Sequence, residues 1–366
     1  MESPKSPAFH GGAFFDAIGV DFRSLERNRD VISADVLDAW YDPSPLVIET
    51  LRDHLPFLLR TSPPTHAEGL AETIALTRGV PVESVLTGGG SSSLIFTCLP
   101  VLLRRGSRVM LLDPTYGEYE HVLRVLICSE PEFFPLSEES GFAVDGEVFA
   151  ESVRTNAPDA VLLVNPNSPT GVHWPKVEFL RWLDALPSTA LVWVDETYIE
   201  YAGAGESLEV EAARRPNLVV VKSMSKVYAL SGMRVAYLVA APATVARLAA
   251  YMPPWPVGLA AQVAGVMALR DPDYYAARYR ETHVIRDRAV TALRELGVPV
   301  LSAGANFYLA RFDEPARIAA SLRVNQIFVR EFTSGPLAGR FLRFAVKGWS
   351  QTVRIIDGVG AALRQG

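Results

Sequence analysis

The chain has 366 residues, of which 49% are hydrophobic and 21% charged, and it carries a net charge of −6. That length allows two domains and a large buried core, and an acidic balance without a long basic run argues against nucleic acid as the main partner. No apolar stretch is long enough to span a bilayer, residues 1–12 lack the apolar core of a signal peptide, and Cys98 and Cys128 show no metal-ligand spacing. The expectation is a cytoplasmic protein with no membrane partner and no structural metal, whose cysteines are reduced, small, buried side chains.

In chain order, the first chemically pointed segment is Thr87-Gly88-Gly89-Gly90-Ser91-Ser92-Ser93, followed by the apolar Leu94-Ile95-Phe96. A glycine run opening a helix exposes backbone N–H groups and the positive helix end, which suits a phosphate; a plain turn with a serine N-cap is the alternative. An apolar run predicts a buried strand over 108–112, and Asp113-Pro114-Thr115-Tyr116 follows it. An aromatic at such a strand end can stack on a planar ring or can belong to the core. Helices are predicted over 119–126 and 146–157, then a strand over 160–164. It runs into Asn165-Pro166-Asn167-Ser168-Pro169-Thr170-Gly171, whose turn chemistry sets an amide at the sheet edge or makes an ordinary Asn-Pro turn.

A helix over 176–186 precedes a strand over 191–194, which ends on Asp195-Glu196-Thr197-Tyr198. A buried aspartate stays ionised only when paired, so Asp195 either meets a cation such as a protonated pyridine nitrogen or caps the next helix. A strand over 218–221 leads into Ser223-Met224-Ser225-Lys226, and another is predicted over 234–239. A lysine amine can form a Schiff base with a carbonyl, and the flanking serines with Arg234 supply what a phosphate-bearing aldehyde needs for anchoring. Pyridoxal 5′-phosphate (PLP) carries both groups. The alternation of short apolar runs with amphipathic stretches predicts an α/β fold with a mostly parallel sheet. Asp113, Asn165, Asp195 and Ser223 then converge on the crevice at the carboxyl ends of its strands. The Pro-rich Met252-Pro253-Pro254-Trp255-Pro256 bounds this unit, and helices over 259–270 and 274–296 open a smaller α+β domain.

The order and spacing of these motifs resemble the class I/II aminotransferases of fold type I, specifically the histidinol-phosphate aminotransferase-like branch, which also contains threonine-phosphate decarboxylases. The resemblance covers 88–239 and continues through Ala305-Asn306-Phe307 and Leu342-Arg343-Phe344. It implies a large PLP-binding domain over 46–255, a small C-terminal domain over 256–366 and an arm over 1–45 that packs with the small domain. It implies Lys226 as Schiff-base lysine and proton carrier, Asp195 on the pyridine nitrogen, Tyr198 on the 3′-oxygen and Tyr116 stacked on the ring. Gly90, Ser91, Ser92, Ser223, Ser225 and Arg234 would hold the phosphate. Arg343 would grip a substrate carboxylate or phosphate, with Asn306 also at the substrate.

Three stretches depart from that pattern. The family's ring-contacting asparagine lies directly before Pro-Thr-Gly, where this chain has Ser168, and neighbouring Asn167 is expected to supply the amide instead. The N-terminal Asn-x-Asn-Pro-x-Gly is replaced by Asp35 to Pro43, in which Trp40 and Tyr41 suggest an aromatic component at the substrate or core residues. The family's Tyr-Pro-Asp, which lends a tyrosine across a dimer, is replaced by Ser62 to Gly69, so His66 is either a surface histidine or a substrate contact from a neighbouring subunit. The resemblance thus implies a homodimer with shared active sites that moves an amino group between small amino and oxo acids. Decarboxylation, or β/γ-elimination and cyclisation in a specialised pathway, remain as the alternative reactions.

Overall fold

The computed structural model describes residues 12–19, 22, 24–186, 190–203, 205–302 and 304–365. Its centre is a seven-stranded sheet in the order β2-β8-β7-β6-β5-β3-β4. The strands are β2 (Val85–Gly88), β3 (Val109–Asp113), β4 (Glu132–Pro135), β5 (Ala160–Val164), β6 (Leu191–Asp195), β7 (Leu218–Ser223) and β8 (Ala236–Ala240). β7, β6, β5, β3 and β4 are parallel, and β8 runs antiparallel to both β7 and β2.

The apolar runs form strands because both faces of this sheet are covered. Side chains alternate across a strand, so Ala160, Leu162 and Val164 join Leu94, Leu99 and Tyr119 on one face, while Val161 and Leu163 join Phe149 and Phe179 on the other. The expected strands 108–112, 160–164, 191–194, 218–221 and 234–239 match β3, β5, β6, β7 and β8 to within two residues. The helix expected over 119–126 starts earlier, as Gly117–Val122, and changes to a π-helical turn at Leu123–Ile127. That turn stops at Cys128, which has φ 54° and is exposed, against the expectation that both cysteines are buried; Cys98 alone is.

A second sheet has the order β1-β11-β12-β10-β9, with β1 (Ile32–Ala34), β9 (Val300–Ser302), β10 (Phe307–Arg311), β11 (Ile327–Glu331) and β12 (Phe341–Ala345). β1 comes from the N-terminal arm and pairs in parallel with β11, Ile32 opposite Ile327. The helix Leu259–Leu269 packs against Pro45–Arg60 and Glu68–Arg78, and Gln262 Nε2 donates to Val257 O at 2.9 Å. This helix therefore keeps company with the first unit although it lies beyond residue 256. The long helix Pro272–Glu295 contacts β9 and β10 of the second sheet. We propose that this long helix, rather than the Pro-rich segment, carries the division between the two units.

Behind the carboxyl ends of β6 and β7 lies a buried charge network. Lys222 Nζ is 2.8 Å from Glu200 and 3.6 Å from both Glu196 and Glu209. Arg78 donates to Glu200 at 2.9 Å, to Tyr228 at 2.8 Å and to Tyr237 at 3.0 Å. Burial pushes the Glu196 carboxyl up to about 7, against the pull of Lys222. Glu196 adjoins Asp195 and Lys222 adjoins Ser223, so the network braces two strand ends that carry functional side chains. Lys222→Met leaves three buried carboxylates short of a cation and is expected to destabilise the fold by about 3–5 kcal/mol in urea unfolding.

Among the described residues no helix is long and apolar enough to cross a membrane.

Candidate active site

The polar residues expected at the strand ends do collect on one side of the large sheet, but not all of them face the same way. Asp195 is the last residue of β6 and is 3% exposed. Its Oδ1 accepts from Thr197 N at 3.0 Å and Thr197 Oγ1 at 2.6 Å, and its Oδ2 accepts from Tyr119 at 2.8 Å. Tyr119 is fixed in turn by Trp193 Nε1 at 3.0 Å. Burial raises the Asp195 carboxyl above its usual range, with Glu118 adding to the effect and the hydrogen bonds opposing it. A cation set against this carboxyl would reverse the shift, as the protonated nitrogen of a pyridine ring does. Thr197 and Tyr119 went unassigned in the sequence, although Thr197 lies inside the Asp195–Tyr198 motif itself.

The residues expected to cradle a phosphate come from three chain segments. Gly90 caps the helix Ser91–Leu102 with φ 96°, a conformation that favours glycine. A Cβ there would lie 2.5 Å from Arg234 Nη2, so glycine is also what lets the guanidinium lie over the helix start. Arg234 Nη1 reaches Ser225 Oγ at 3.4 Å and Ser231 O at 3.2 Å, while Ser223 Oγ accepts from Ser225 N at 3.3 Å. A helix N-terminus, two serines and an arginine in one place fit a phosphate. Ser91 begins the helix and brings its backbone N–H to this end. The Ser92 hydroxyl donates to buried Glu118 at 3.0 Å, which leaves its backbone N–H in the first turn as its donor toward this end. Glu118 also accepts from the Tyr116 hydroxyl, which holds that ring at the strand end, edge-on to Tyr119.

Asn167 is a correction. Its Nδ2 donates to Pro114 O at 2.9 Å and Thr170 Oγ1 at 3.1 Å, and its Oδ1 accepts from Thr115 at 3.3 Å. The amide ties two loops together and has no donor left for a cofactor. Ser168 instead faces the site, hydrogen-bonded to Tyr198 and accepting from Arg343 Nη1 at 3.3 Å. Tyr198 packs edge-on against Phe307, with centroids 5.4 Å apart.

Arg343 projects from β12 toward this group. Nη2 donates to Asp35 O at 3.1 Å, and Nε is buried without a partner. Burial, with the neighbouring Arg330, pushes the guanidinium down to about 10. Asn306 is buried and donates to Leu37 O at 3.0 Å, clamping the arm to the second sheet, while its Oδ1 has no partner. Tyr41 is a second correction. It is buried, and its hydroxyl lies 2.9 Å from Val227 O and 3.1 Å from the Tyr201 hydroxyl, so it anchors the arm in the core rather than facing a substrate. The His66 side chain is exposed; only its backbone meets the glycine turn, through Thr87 Oγ1 at 3.2 Å.

Lys226, on the short helix Met224–Val227, donates from Nζ to Asp38 Oδ1 at 2.6 Å. Asp38 belongs to the arm and had no assigned role in the sequence reading.

A lysine amine on a short helix, a buried carboxyl lacking a cation, an arginine and two serines at a helix start and an orphaned arginine donor fit PLP, so fold and site together define a PLP-dependent enzyme of fold type I. The family model for aminotransferase class I and II matches residues 38–356. Histidinol-phosphate aminotransferase 1 of Burkholderia pseudomallei is 32% identical over 333 residues, covering 89% of each chain. The histidinol-phosphate aminotransferase of Desulfitobacterium hafniense is 31% identical over 301 residues, 81% of this chain and 82% of that one. The chain belongs to the class I and II aminotransferases: it is a PLP-dependent aminotransferase acting on small amino and oxo acids. The fold is shared with histidinol-phosphate aminotransferase from Sinorhizobium meliloti in complex with PLP, at TM-score 0.86, 20% identity and coverage of 99% and 96%. It is shared as well with L-threonine-O-3-phosphate decarboxylase from Porphyromonas gingivalis, at TM-score 0.78, 24% identity and coverage of 91% and 100%.

Proposed function

We propose that this aminotransferase takes an amino compound bearing a carboxylate or phosphate, and that Arg343 holds the anion. The observation that carries this reading is the buried, unpartnered Nε of Arg343, a cationic donor beside Tyr198 and Ser168. Bound at this site, PLP supplies a carbonyl for the amine and a ring that accepts the electron pair released at the α-carbon. Lys226 would be the group that takes a proton from that carbon and returns it. Asp195 would hold the ring nitrogen by charge, and Tyr198 and Ser168 would hold the ring's oxygen side. Histidinol phosphate is one compound of this class, supported by the name of the relatives above 30% identity.

A planar two-pronged cation suits both anions, and an ammonium does not reproduce it. Arg343→Lys is expected to raise KM for the amino substrate about ten- to hundredfold, the loss of a hydrogen bond to a charged group. An unchanged KM in steady-state assays would remove Arg343 from the substrate site.

The reading extends to a cytoplasmic homodimer with shared active sites. Exposed Leu55, Phe57 and Leu59 on the helix Pro45–Arg60 support an apolar contact surface, and the loop through His66 abuts the glycine turn. The net charge of −6 supports small-molecule rather than nucleic-acid partners. Mixing His66→Ala with Lys226→Ala subunits should restore activity to some mixed dimers if His66 reaches the neighbouring site. Mixed dimers that form but stay inactive would place His66 within its own subunit's site.

A further inference from the structure

Asp38 stands in the arm where the family's asparagine-rich substrate stretch is replaced, and its carboxylate reaches the reactive lysine. Oδ1 accepts from Lys226 Nζ at 2.6 Å and from Ser231 Oγ at 2.6 Å. Ser231 also donates to Ser225 O at 3.1 Å, so the loop that carries Lys226 aims the carboxylate as well. The preceding residue, Leu37, is held by Asn306 at 3.0 Å, which fixes the arm's backbone at this point.

A second lysine lies close by. Lys347 follows Val346, whose N–H donates to Asn306 O at 2.8 Å, and it is buried. Its ammonium makes no hydrogen bond or ion pair with a described residue. Burial pushes it down to about 8, with Asp38 opposing the effect and Lys226 adding to it. The Asp38 carboxylate is thus bonded to the first lysine, and Asn306, which holds both Leu37 and Val346, brings the second lysine's strand end to the same part of the arm.

We propose that Asp38 and Lys347 are positioning residues for Lys226, Asp38 holding its nitrogen and favouring the protonated form while Lys347 offsets the Asp38 charge when that nitrogen is neutral. The inference rests on the transamination reading. In that reading Lys226 Nζ would take the proton from the substrate's α-carbon, with PLP supplying the sink for the electron pair. Nζ begins neutral and ends as an ammonium. A carboxylate at hydrogen-bond distance stabilises that ammonium and so favours the transfer. A carboxylate left alone among buried groups is costly, and Lys347 prevents that during the neutral interval. Both residues act through Lys226.

The direct test is an absorbance titration of the PLP-loaded protein without substrate, reading protonation of the Lys226 Schiff-base nitrogen. The charged and titratable groups around that nitrogen are Asp38, Lys347 and, beyond Asp38, Tyr198, with Asp35 acting on Lys347. Asp38→Asn is expected to move the titration to lower pH by about one unit, because an anion that favours the proton is gone. Lys347→Met is expected to move it to higher pH, because a repelling cation is gone. In single-turnover measurements Asp38→Asn should slow proton removal at least about tenfold with substrate affinity unchanged, and Asp38→Glu should recover most of the rate.

Titrations of both variants that overlay the parent would overturn the proposal. A shift in Asp38→Asn alone would remove Lys347 from the pair. Should Asp38→Asn fail to fold, Asp38→Ser takes its place, and an unmoved titration in that variant overturns the proposal. The titration needs no amino substrate, so a failure of the transamination reading leaves it interpretable.

Discussion

Lys226→Ala is expected to remove the Schiff-base absorbance of the PLP-loaded protein and to lower turnover by at least about 10⁴-fold, the upper range for loss of a positioned acid–base group. The structure predicts that the variant still folds. The Lys226 side chain is 19% exposed, and among the described residues its hydrogen bond goes to Asp38, a residue of the partly exposed arm. The phosphate cradle of Gly90, Ser225 and Arg234 does not involve the lysine side chain. PLP should therefore remain bound but unlinked, recognisable by the spectrum of the free aldehyde. Retention of the linked-form spectrum in Lys226→Ala would mean that another amine carries the chemistry. Lys347 would then be the first residue to test.

The second large effect is expected at Asp195. Asp195→Asn keeps the size of the side chain, but it accepts at one atom where Asp195 accepts at two and cannot hold a proton on the ring nitrogen by charge. Loss of one charge-stabilising group in a dry site lowers kcat about 10²–10³-fold. Cofactor binding should change little, because neither Lys226 nor the cradle touches Asp195. A variant with parental kcat would contradict the role of Asp195 as counter-charge, leaving it as the anchor of Thr197 and Tyr119.

The parts of the fold readable from the sequence are those in which a short segment carries its own reason. β5 and β7 are apolar throughout because helices cover both sheet faces, and five- or six-residue runs of that kind have few other uses. β2 and β4 escaped notice because their residues are mixed, Val85-Leu86-Thr87-Gly88 and Glu132-Phe133-Phe134-Pro135, as suits strands at the sheet edges. The helix Leu259–Leu269 was legible as a helix but not in its allegiance. Its residues are apolar all round, and only tertiary packing shows that Gly265 lies against Leu70 and Met224.

The site divides along the same line. Lys226, Arg234 and the Gly90 turn form compact motifs whose spacing carries the chemistry, and the structure brings Gly90, Ser225 and Arg234 together. Asn167 and Ser168 are adjacent, and the path of the turn alone decides that the amide faces the loop while the hydroxyl faces Tyr198. Ser92 and Tyr41 carry suitable groups, but Glu118 and Val227 claim them first. Asp38 is separated from Lys226 by 188 positions, and Lys347 lies in the second sheet's half of the chain, so no local pattern joins them. Cradle chemistry is local and legible; the surroundings of the reactive amine are assembled from the arm and from the segment after β12, and are not.

The most direct test of aminotransferase chemistry is to titrate the PLP-loaded protein with a panel of amino acids and histidinol phosphate, following the cofactor by absorbance and the products by mass spectrometry in the same samples. Stoichiometric conversion of the cofactor to its pyridoxamine form, with release of an oxo compound from an anionic amino substrate, is the predicted result. Loss of carbon dioxide, ammonia or water from the substrate with the cofactor returned as aldehyde would contradict it.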